Sequence, residues 1–442
     1  MNINDSNLQQ FLDRLKIKEL NDMQKAVIAQ TEKTGEVVLL SATGSGKTLA
    51  FLIPLLNSLD SEVKLVQALI MVPSRELALQ IESVIKQMHT GYKTIACYGG
   101  HKREIEENNL IQPPAIIIGT AGRMADHIRR NNFDTVAVKF LVLDEFDKSL
   151  ELGFLEEMQF ILQALPTVQI RMLTSATQAV EIPAFVKMNK PTILNFLADT
   201  QISTDNLRVH TLLSDDKDKL QTLFQLICCC NNTSTIIFCN HRDAVERTSQ
   251  YLTEQGMINV FYHGGMEQLE REVALTKFRN TSSNILVTTD LASRGLDIEN
   301  IRNIIHYHLP HVEAEFTHRN GRTARMKATG NVYVIHSEDE KLPEYITKDA
   351  VIFNLPDKLE LPNKPSWCTL FIDAGKKDKI NKIDIVGFLL QKGMLRKEEI
   401  GLIEVKDYTA FAAVRKSKIV DLVELVKDEK IKNKKVKFAI AK

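Results

Sequence analysis

The stretch Ser-Ala-Thr-Gly-Ser-Gly-Lys-Thr at residues 41–48 decides how this chain can be interpreted. It lies between an apolar run at 37–40, typical of a buried strand, and an apolar segment with a helix-like pattern. A glycine-rich turn from strand to helix directs backbone N–H groups and the positive end of the helix dipole at a phosphate chain. Lys47 adds a charge for the β and γ phosphates, and Thr48 adds a hydroxyl for Mg²⁺. The stretch predicts a nucleotide site, and the alternative is a solvated surface turn.

Composition limits the classes of protein to consider. A chain of 442 residues is too long for one core and predicts two or three domains. Hydrophobic residues make up 44% and charged residues 25%, which is typical of a globular protein. No apolar run has membrane-spanning length, residues 1–10 do not resemble a signal peptide, and the six cysteines lack paired metal-ligand spacing. We therefore expect a cytoplasmic protein without a membrane partner.

The formal net charge of zero conceals an asymmetry. Residues 366–442 contain 18 Lys and Arg against 11 Asp and Glu, so the rest of the chain is acidic. A basic terminal segment on an acidic body is typical of a nucleic-acid anchor, and the alternative is a solvated lysine-rich surface.

Apolar runs of strand length recur with helix-like segments between them, a pattern typical of parallel sheets buried on both faces. One series ends near residue 143, a second begins near 235, and the polar region 195–219 separates them. The last segment alternates in a β-α-β-β-α-β order. We predict a first domain at 1–204, a second at 205–345, a linker at 346–365 and a small α+β domain at 366–442.

A second cluster supplies the groups that a phosphate loop needs. The apolar run at 140–143 ends in Asp144-Glu145-Phe146-Asp147, at the sheet edge where ligands bind in parallel α/β folds. Asp144 suits the Mg²⁺ shell, and Glu145 could orient or deprotonate the attacking water. On these four residues alone, a polar turn after a strand is an equal alternative.

Taken in order, the motifs of residues 24–325 resemble those of DEAD-box RNA helicases. They are Gln24, the 41–48 loop, Pro73-Ser74-Arg75-Glu76-Leu77-Ala78, Gly99-Gly100, Thr120-Ala121-Gly122-Arg123, Asp144-Glu145-Phe146-Asp147, Ser175-Ala176-Thr177, Ile237-Phe238-Cys239-Asn240, Gln268 with Arg271, Thr289-Asp290-Leu291-Ala292-Ser293-Arg294-Gly295-Leu296-Asp297 and His318-Arg319-Asn320-Gly321-Arg322-Thr323-Ala324-Arg325.

The resemblance implies an α/β fold of two tandem RecA-like parallel-sheet domains that clamp ATP and Mg²⁺, followed by the small α+β domain. The implied catalytic residues are Lys47, Asp144, Glu145, Arg322 and Arg325. The implied nucleotide contacts are Gln24, Thr43, Gly44, Ser45, Gly46, Lys47, Thr48 and Asp297, with Thr48 and Asp144 holding the metal. Arginines from the second domain would stabilise charge on the transferring phosphoryl group.

The resemblance also implies coupling between ATP and RNA. Asp147, Ser175, Thr177 and Arg319 would link the two domains when they close. RNA phosphates and 2′-hydroxyls would be bound, without sequence readout, by Pro73, Arg75, Gly100, Thr120, Arg123, Gln268, Arg271, Thr289 and Arg294. The expected output is local unwinding, and the expected state is a monomer.

Four departures from the family pattern stand out. Phe146 replaces an alanine and could crowd the catalytic segment. Ile17 and Leu20-Asn21 erode the segment around Gln24, and Ala121 replaces a proline. His306 and His308 stand where the family often has Asn and Asp; with His311 they could suggest a metal site, but surface or cleft positions are the better interpretation.

Residues 366–442, the C-terminal module, resemble the RRM-like RNA-binding domain of the DbpA subgroup. The match rests on 382–389, 401–414 and 432–437. It implies recognition of a hairpin in large-subunit ribosomal RNA and a role in ribosome assembly. We expect basic contacts to that RNA from Lys376, Lys377, Lys379, Arg415, Lys416 and Lys418, with Phe371, Tyr408 and Phe411 as stacking candidates.

Two alternatives to a targeted RNA helicase stay open. One is an ATP-gated RNA clamp or chaperone, in which Phe146 slows hydrolysis. The other is a helicase that acts on DNA, against which the ordered RNA-contact motifs argue.

Overall fold

The computed structural model describes residues 5–42, 44–100, 103–151, 153–177, 182–197, 207–290, 301–323, 329–348, 350–356 and 358–441. These residues form two compact units, which we call the first unit (through residue 197) and the second unit (from residue 207). The boundary predicted near residue 205 lies outside the described residues. Along the described ranges, no helix has the length and apolar character needed to cross a membrane.

The first unit contains seven strands and eight helices among its described residues. The strands are β1 (Glu36–Leu40), β2 (Ala68–Val72), β3 (Thr94–Cys97), β4 (Ile116–Thr120), β5 (Phe140–Leu143), β6 (Ile170–Ser175) and β7 (Thr192–Asn195). The helices are α1 (Asp5–Arg14), α2 (Asp22–Thr34), α3 (Lys47–Ser58), α4 (Arg75–Met88), α5 (Arg103–Leu110), α6 (Ala121–Arg129), α7 (Phe146–Glu151) and α8 (Leu155–Gln163).

The strands of the first unit form one parallel sheet in the order β3-β4-β2-β5-β6-β1-β7. Alternate residues of the central strands enter different cores: Ile70 of β2 belongs to one cluster, and Leu69 to the other. Burial on both faces explains why these strands are continuous apolar runs. Because β5, β6 and β1 are neighbours, the segments after their carboxyl ends lie side by side.

The second unit begins with another parallel sheet, in the order β10-β11-β9-β12-β13-β8-β14. Its strands are β8 (Leu207–Ser214), β9 (Thr235–Phe238), β10 (Val260–Tyr262), β11 (Ile285–Thr288), β12 (Asn303–His306), β13 (Gly330–Ser337) and β14 (Ala350–Ile352). Its helices are α9 (Leu220–Cys229), α10 (Arg242–Glu254), α11 (Gln268–Arg279), α12 (Glu313–Asn320) and α13 (Glu344–Thr347). Strand β14 lies within the segment 346–365, which the sequence pattern suggests is a linker; it pairs with β8 and belongs to this sheet.

The C-terminal module has the predicted β-α-β-β-α-β order and an antiparallel sheet, β16-β17-β15-β20. Its elements are β15 (Trp367–Ile372), α14 (Lys382–Gln391), β16 (Ile400–Val405), β17 (Ala410–Arg415), α15 (Ile419–Val426), the hairpin strands β18 (Lys430–Ile431) and β19 (Lys434–Lys435), and β20 (Phe438–Ile440). The hairpin is an addition to the predicted order. Two parallel sheets followed by this small sheet confirm the predicted fold class.

One face of the module's sheet is covered by its own helices, and the other packs against α11. Leu370 and Ile372 of β15 lie in the core with α14 and α15 residues, so Thr369 and Phe371 project to the opposite face. There the hydroxyl of Thr369 accepts a hydrogen bond from the Asn280 amide at 2.9 Å and lies 2.9 Å from the Ser282 hydroxyl. Arg279 contacts Glu404 of β16 at 3.4 Å. The module is therefore docked on the second parallel sheet's helix layer.

Candidate functional site

The phosphate loop joins β1 to α3, as predicted. Gly44 and Gly46 have φ values of +85° and +94°, left-handed conformations in which glycine is unstrained. The loop is anchored to the sheet because the Ser41 N–H donates to the Ser175 carbonyl at 3.0 Å. Lys47 is buried, and its ammonium donates to the Ser41 carbonyl at 2.8 Å. This arrangement holds a charge inside a loop of backbone N–H groups, which suits a polyphosphate.

Two side chains at the start of α2 hold the phosphate loop through contacts that the sequence pattern does not reveal. Asn21 and Gln24 form a reciprocal cap at the start of α2, with bonds of 2.8 and 2.9 Å. The amide of Gln24 then donates to the Gly46 carbonyl at 3.1 Å, and the amide of Asn21 donates to the Ser45 carbonyl at 3.0 Å. A Cβ on Gly46 would lie 2.6 Å from the Gln24 Nε2 atom. Asn21, which departs from the family pattern, thus contributes directly to the loop.

Asp144 and Glu145 follow β5 and are both buried. The Thr174 hydroxyl donates to Asp144 Oδ1 at 2.5 Å and accepts from the Glu145 N–H at 3.0 Å. Thr174 therefore fixes the turn that presents both carboxylates. Glu145 has a φ of +48°, an uncommon conformation for a non-glycine residue that costs about 1–2 kcal/mol.

The donor set around Asp144 fits a hard cation. Burial raises the pKa of Asp144, while the charge of Lys47 and the Thr174 hydrogen bond oppose that shift. A divalent cation next to Asp144 would offset the cost of burying its charged carboxylate. Carboxylate and hydroxyl oxygens from Asp144 and Thr48 are the ligands that Mg²⁺ prefers.

Asp147 and the turn after β6 form a separate polar contact. Thr177 donates to Asp147 Oδ2 at 3.0 Å, and its N–H donates to the Ser175 hydroxyl at 3.0 Å. Asp147 Oδ1 is buried and has no hydrogen-bond partner among the described residues. Such an oxygen is costly to bury and suits a further donor.

Phe146 points away from the polar groups. It is 1% exposed and belongs to the core cluster that includes Leu143, Met158 and Val186. The side chain therefore fills the core under α7 rather than crowding the carboxylates.

The predicted RNA residues of the first unit lie at the carboxyl ends of β2, β3 and β4. Arg75 is buried, contacts Glu76 at 3.6 Å and lies over the Tyr98 ring at 5.5 Å. Gly100 has a φ of +95°, and a Cβ there would lie 2.6 Å from Arg75 Nη1. Only a glycine at this position leaves room for the Arg75 guanidinium. Pro73 is buried before α4, and Thr120 is half-buried at the N-terminus of α6.

Arg123 of α6 is also close to these positions. Its Nη1 atom lies 2.7 Å from Oε2 of Glu106, a buried carboxylate on α5. The sequence does not indicate that Glu106 pairs with Arg123, because a single glutamate in a charged helix belongs to no motif.

In the second unit, Arg319 is the centre of a polar network. Its guanidinium is fully buried and contacts Asp290, Asn240 and the His308 carbonyl at 2.7–3.0 Å. These partners follow β11, β9 and β12, which are neighbouring strands. The donors of Arg319 have acceptors within the second unit, and its predicted partnership with Asp147 of the first unit stays a prediction.

His306 and His308 are structural members of this network. His306 Nε2 lies 2.9 Å from Asn320 Oδ1, and His308 Nδ1 accepts from the Asn240 N–H at 3.2 Å. Desolvation, with Arg319 nearby, lowers the pKa of His306 to about 3, and desolvation lowers that of His308 to about 4. Across the described residues, the candidate metal-ligand cluster is Cys97, Glu106 and His127, and these histidines are not in it.

The remaining predicted residues of the second unit lie nearby or outside the described ranges. Gln268 and Arg271 start α11, where Arg271 donates to the Tyr262 hydroxyl at 2.8 Å. Thr289 follows β11, and Arg322 is buried after α12. The predicted residues that lie outside the described ranges are Thr43, Arg294, Asp297 and Arg325.

The basic residues of the module form two groups. Lys376, Lys377 and Lys379 are exposed in a loop bordered by the β18–β19 hairpin, where Lys432 donates to the Lys379 carbonyl at 3.0 Å. Lys416 and Lys418 are exposed after β17, and Arg415 lies over the Trp367 ring at 4.2 Å. Of the stacking candidates, Phe411 is fully buried and Tyr408 is 57% exposed. Phe371 is half-buried, with its ring centroid 5.7 Å from that of Phe411.

Comparison with protein families gives three successive matches. The DEAD/DEAH box helicase model matches residues 21–184, the helicase conserved C-terminal domain matches 218–327, and the DbpA RNA binding domain matches 369–440.

Individual proteins agree with these models. The ATP-dependent RNA helicase DbpA of Bacillus subtilis is 29% identical over 96% of this chain and 95% of its own length. The ATP-dependent RNA helicase eIF4A of Mycosarcoma maydis is 33% identical over 72% of this chain and 79% of its own length.

Solved structures support the same grouping. A structure of Mss116p bound to single-stranded RNA and AMP-PNP has a TM-score of 0.65 and 26% identity, covering 76% of this chain and 73% of that protein. Dbp5 of S. cerevisiae, at 24% identity and a TM-score of 0.66, shares the fold. The chain therefore belongs to the DEAD-box family of ATP-dependent RNA helicases, and it carries a DbpA RNA-binding domain.

Proposed function

We propose that this helicase locally unwinds structured large-subunit ribosomal RNA during ribosome assembly, and that the C-terminal module directs it to a hairpin. The observation that carries the proposal is the docked module, which places an exposed basic loop on the same compact unit as α11. The DbpA-type match over 369–440 supports an RNA ligand for that module. We further propose a monomer that works in the cytoplasm, in keeping with its bacterial DbpA relatives.

For ATP, we propose that the loop from Thr43 to Thr48 binds the phosphates. Gln24 would contact the adenine, and Asp297 would contact the ribose. Thr48 and Asp144 would hold Mg²⁺, which neutralises phosphate charge when bound. Glu145, fixed by Thr174, would orient the attacking water.

The second unit would complete this chemistry. Arg322 and Arg325 are proposed to stabilise charge on the transferring phosphoryl group. Asp147, Ser175, Thr177 and Arg319 are proposed to couple nucleotide and RNA. The unpartnered Asp147 Oδ1 supports a role as acceptor in the closed state.

For RNA, we propose that the first unit contacts the backbone through Pro73, Arg75, Gly100, Thr120 and Arg123. In the second unit, the contacts to the same RNA backbone would come from Gln268, Arg271, Thr289 and Arg294. The module would add Lys376, Lys377, Lys379, Arg415, Lys416 and Lys418. Backbone contacts of this kind set register and salt dependence rather than sequence choice.

ATPase rates with no nucleic acid, generic single-stranded RNA, duplex DNA and ribosomal RNA containing the hairpin test the proposal. We expect strong stimulation by the ribosomal RNA. A triple change of Lys376, Lys377 and Lys379 to Gln should weaken that stimulation. It should also reduce the salt slope by about 1 for each of these lysines that binds a phosphate.

A matched control is available on the same module. Lys392, Lys397 and Lys427 are exposed elsewhere on it, and their change to Gln should leave the ribosomal RNA response intact. Equal stimulation by all RNAs, unaffected by either triple change, would contradict targeting while leaving the helicase class untouched.

A further inference from the structure

Glu106 is a buried carboxylate that ties together three backbone segments of the first unit. It lies on α5 and is 2% exposed. Its Oε1 atom accepts from the N–H of Tyr98 at 2.9 Å, and its Oε2 atom lies 2.7 Å from both Arg123 Nη1 and His127 Nε2. One carboxylate thus connects α5, the end of β3 and helix α6.

The orientation of His127 follows from its second nitrogen. The Asn132 amide lies 2.9 Å from His127 Nδ1 and can only donate to it. Nδ1 therefore acts as the acceptor of this bond, and Nε2 is the ring nitrogen that donates to Glu106. The carboxylate of Glu106 is therefore surrounded by three hydrogen-bond donors: the Tyr98 N–H, the Arg123 guanidinium and the His127 ring.

The partners of Glu106 are the segments that carry the proposed RNA contacts. Arg123 is bonded directly. Tyr98 immediately precedes Gly99-Gly100, and its ring lies under Arg75 at 5.5 Å. A shift of the Tyr98 backbone would move the turn against which Arg75 is packed, because Gly100 and Arg75 already touch closely.

We propose that Glu106 is a positioning residue for RNA binding, which holds Arg123 and the Tyr98–Gly100 turn in register without touching RNA itself. The proposal rests on the RNA contacts given under the proposed function. A guanidinium must be held within a fraction of an ångström to meet a phosphate, and buried side-chain bonds supply that restraint.

A metal site is the competing interpretation of the same residues. Cys97, Glu106 and His127 offer ligand atoms within 4.8 Å of one another. However, both oxygens of Glu106 already accept hydrogen bonds, and the Arg123 guanidinium at 2.7 Å repels a cation. Burial raises the pKa of the Cys97 thiol well above its usual value, which keeps it protonated. A hub, in which Glu106 accepts hydrogen bonds from Tyr98, Arg123 and His127, accounts for all these contacts.

The test compares full-length Glu106→Gln with Glu104→Gln, an exposed glutamate of the same helix. The readouts are the generic single-stranded RNA concentration for half-maximal ATPase stimulation, the KM for ATP and the ATPase rate without RNA. We expect Glu106→Gln to raise the RNA concentration by about tenfold, with KM and the RNA-free rate within about twofold. Glu104→Gln should match the wild type.

A double-mutant comparison with Arg123→Ala identifies the route. If Glu106 acts largely through Arg123, then Glu106→Gln should cost clearly less in the Arg123→Ala background. An equal loss in both backgrounds would overturn the role of Glu106 at Arg123 and assign the effect to the Tyr98–Gly100 turn, whereas a rise in KM for ATP that accompanies the loss would overturn the whole proposal. Glu106→Asp keeps the charge but shortens the side chain; it should give a smaller loss of the same kind, and it serves if Glu106→Gln does not fold.

Two further outcomes separate the hypotheses. Stoichiometric zinc in the purified protein, absent from Glu106→Gln, would replace the hub with a metal site. A wild-type enzyme that RNA does not stimulate would refute the proposed function, whereas a stimulated wild type with an indistinguishable Glu106→Gln variant would refute only the role of Glu106.

Discussion

Arg319 and Asp290 form a two-point ion pair, with Nε 2.7 Å from Oδ1 and Nη2 2.8 Å from Oδ2. The guanidinium also donates to Asn240 Oδ1 at 2.9 Å and to the His308 carbonyl at 3.0 Å, and it is fully buried. Three strand ends of the second sheet therefore depend on one side chain. This geometry gives Arg319 a role in holding the second unit together, whatever it does across the nucleotide.

Arg319→Ala should lower the free energy of unfolding of the second unit by about 3–5 kcal/mol, because it leaves a partly buried carboxylate without its partner. Urea unfolding followed by far-UV circular dichroism measures this loss. Arg302→Ala, at an exposed arginine of the same unit, should stay within about 0.5 kcal/mol of wild type. Wild-type stability of Arg319→Ala together with abolished ATPase activity would assign Arg319 to interdomain coupling alone.

Gly46→Ala should weaken ATP binding. The residue has a φ of +94°, and the added Cβ would displace the Gln24 amide from the loop. The strain of about 1–2 kcal/mol and the displacement of Gln24 should raise the KM for ATP by about tenfold or more. Gly387→Ala, in a helix with open space around its α carbon, is the matched control and should not change the KM. An unchanged KM in Gly46→Ala would show that the loop tolerates a side chain.

His306 should make the protein less stable in acid. Its folded pKa is about 3 because desolvation, with Arg319 nearby, disfavours the charged form. The unfolded chain binds a proton near the usual pKa of 6.5 and the folded chain does not, so stability falls as pH falls below that value. Between pH 7 and pH 5 this amounts to about 2 kcal/mol.

His306→Asn removes the titrating group, so the loss of unfolding free energy from pH 7 to pH 5 should shrink by about that amount. Urea titrations at the two pH values measure it. His241→Asn, at an exposed histidine, should leave the pH dependence as in wild type. An identical acid loss in His306→Asn would show that another group controls it.

Thr369→Val should release the C-terminal module from α11 without unfolding it. The substitution keeps the shape but leaves the buried Asn280 amide unbonded, which costs about 1–3 kcal/mol. Hydrogen exchange should speed up in β15 and at the end of α11, while α14 and α15 stay protected. Thr409→Val, before β17, is the control. Unchanged exchange at the interface would mean that Arg279, Glu404 and apolar packing are sufficient to hold the module.

Burial on both faces makes most central strands continuous apolar runs, so β1, β2, β4, β5, β9, β11 and β12 could be predicted from sequence. The central strands β6 and β13 include polar residues and do not form such runs. The edge strands β7 and β14 could not be predicted either. Strand β7 alternates between half-buried and exposed positions, and β14 exposes Val351 and Ile352 in a segment rich in charge and proline. Such strands are specified by pairing with a neighbour, which a local pattern does not reveal.

The candidate site divides in the same way. The phosphate loop and the Asp144–Asp147 segment are local runs, and their positions beside Thr174 and Ser175 follow from the strand order. Partners that meet only in the fold could not be predicted. Asn21 with Ser45, Glu106 with Arg123 and His306 with Asn320 are each ordinary residues in sequence, and their roles come from long-range packing.

Helix α11 has a consequence for the shape of the RNA substrate. Its first turn carries Gln268 and Arg271, and its last turn meets the C-terminal module. Twelve helical residues span about 18 Å, and a helix is a stiff spacer. If Gln268 and Arg271 bind the RNA strand and the module binds a hairpin as proposed, this helix helps to fix the distance between these two parts of the RNA. Substrates should then be selected by the distance between these two elements, and inserting nucleotides between them should tune activity in steps.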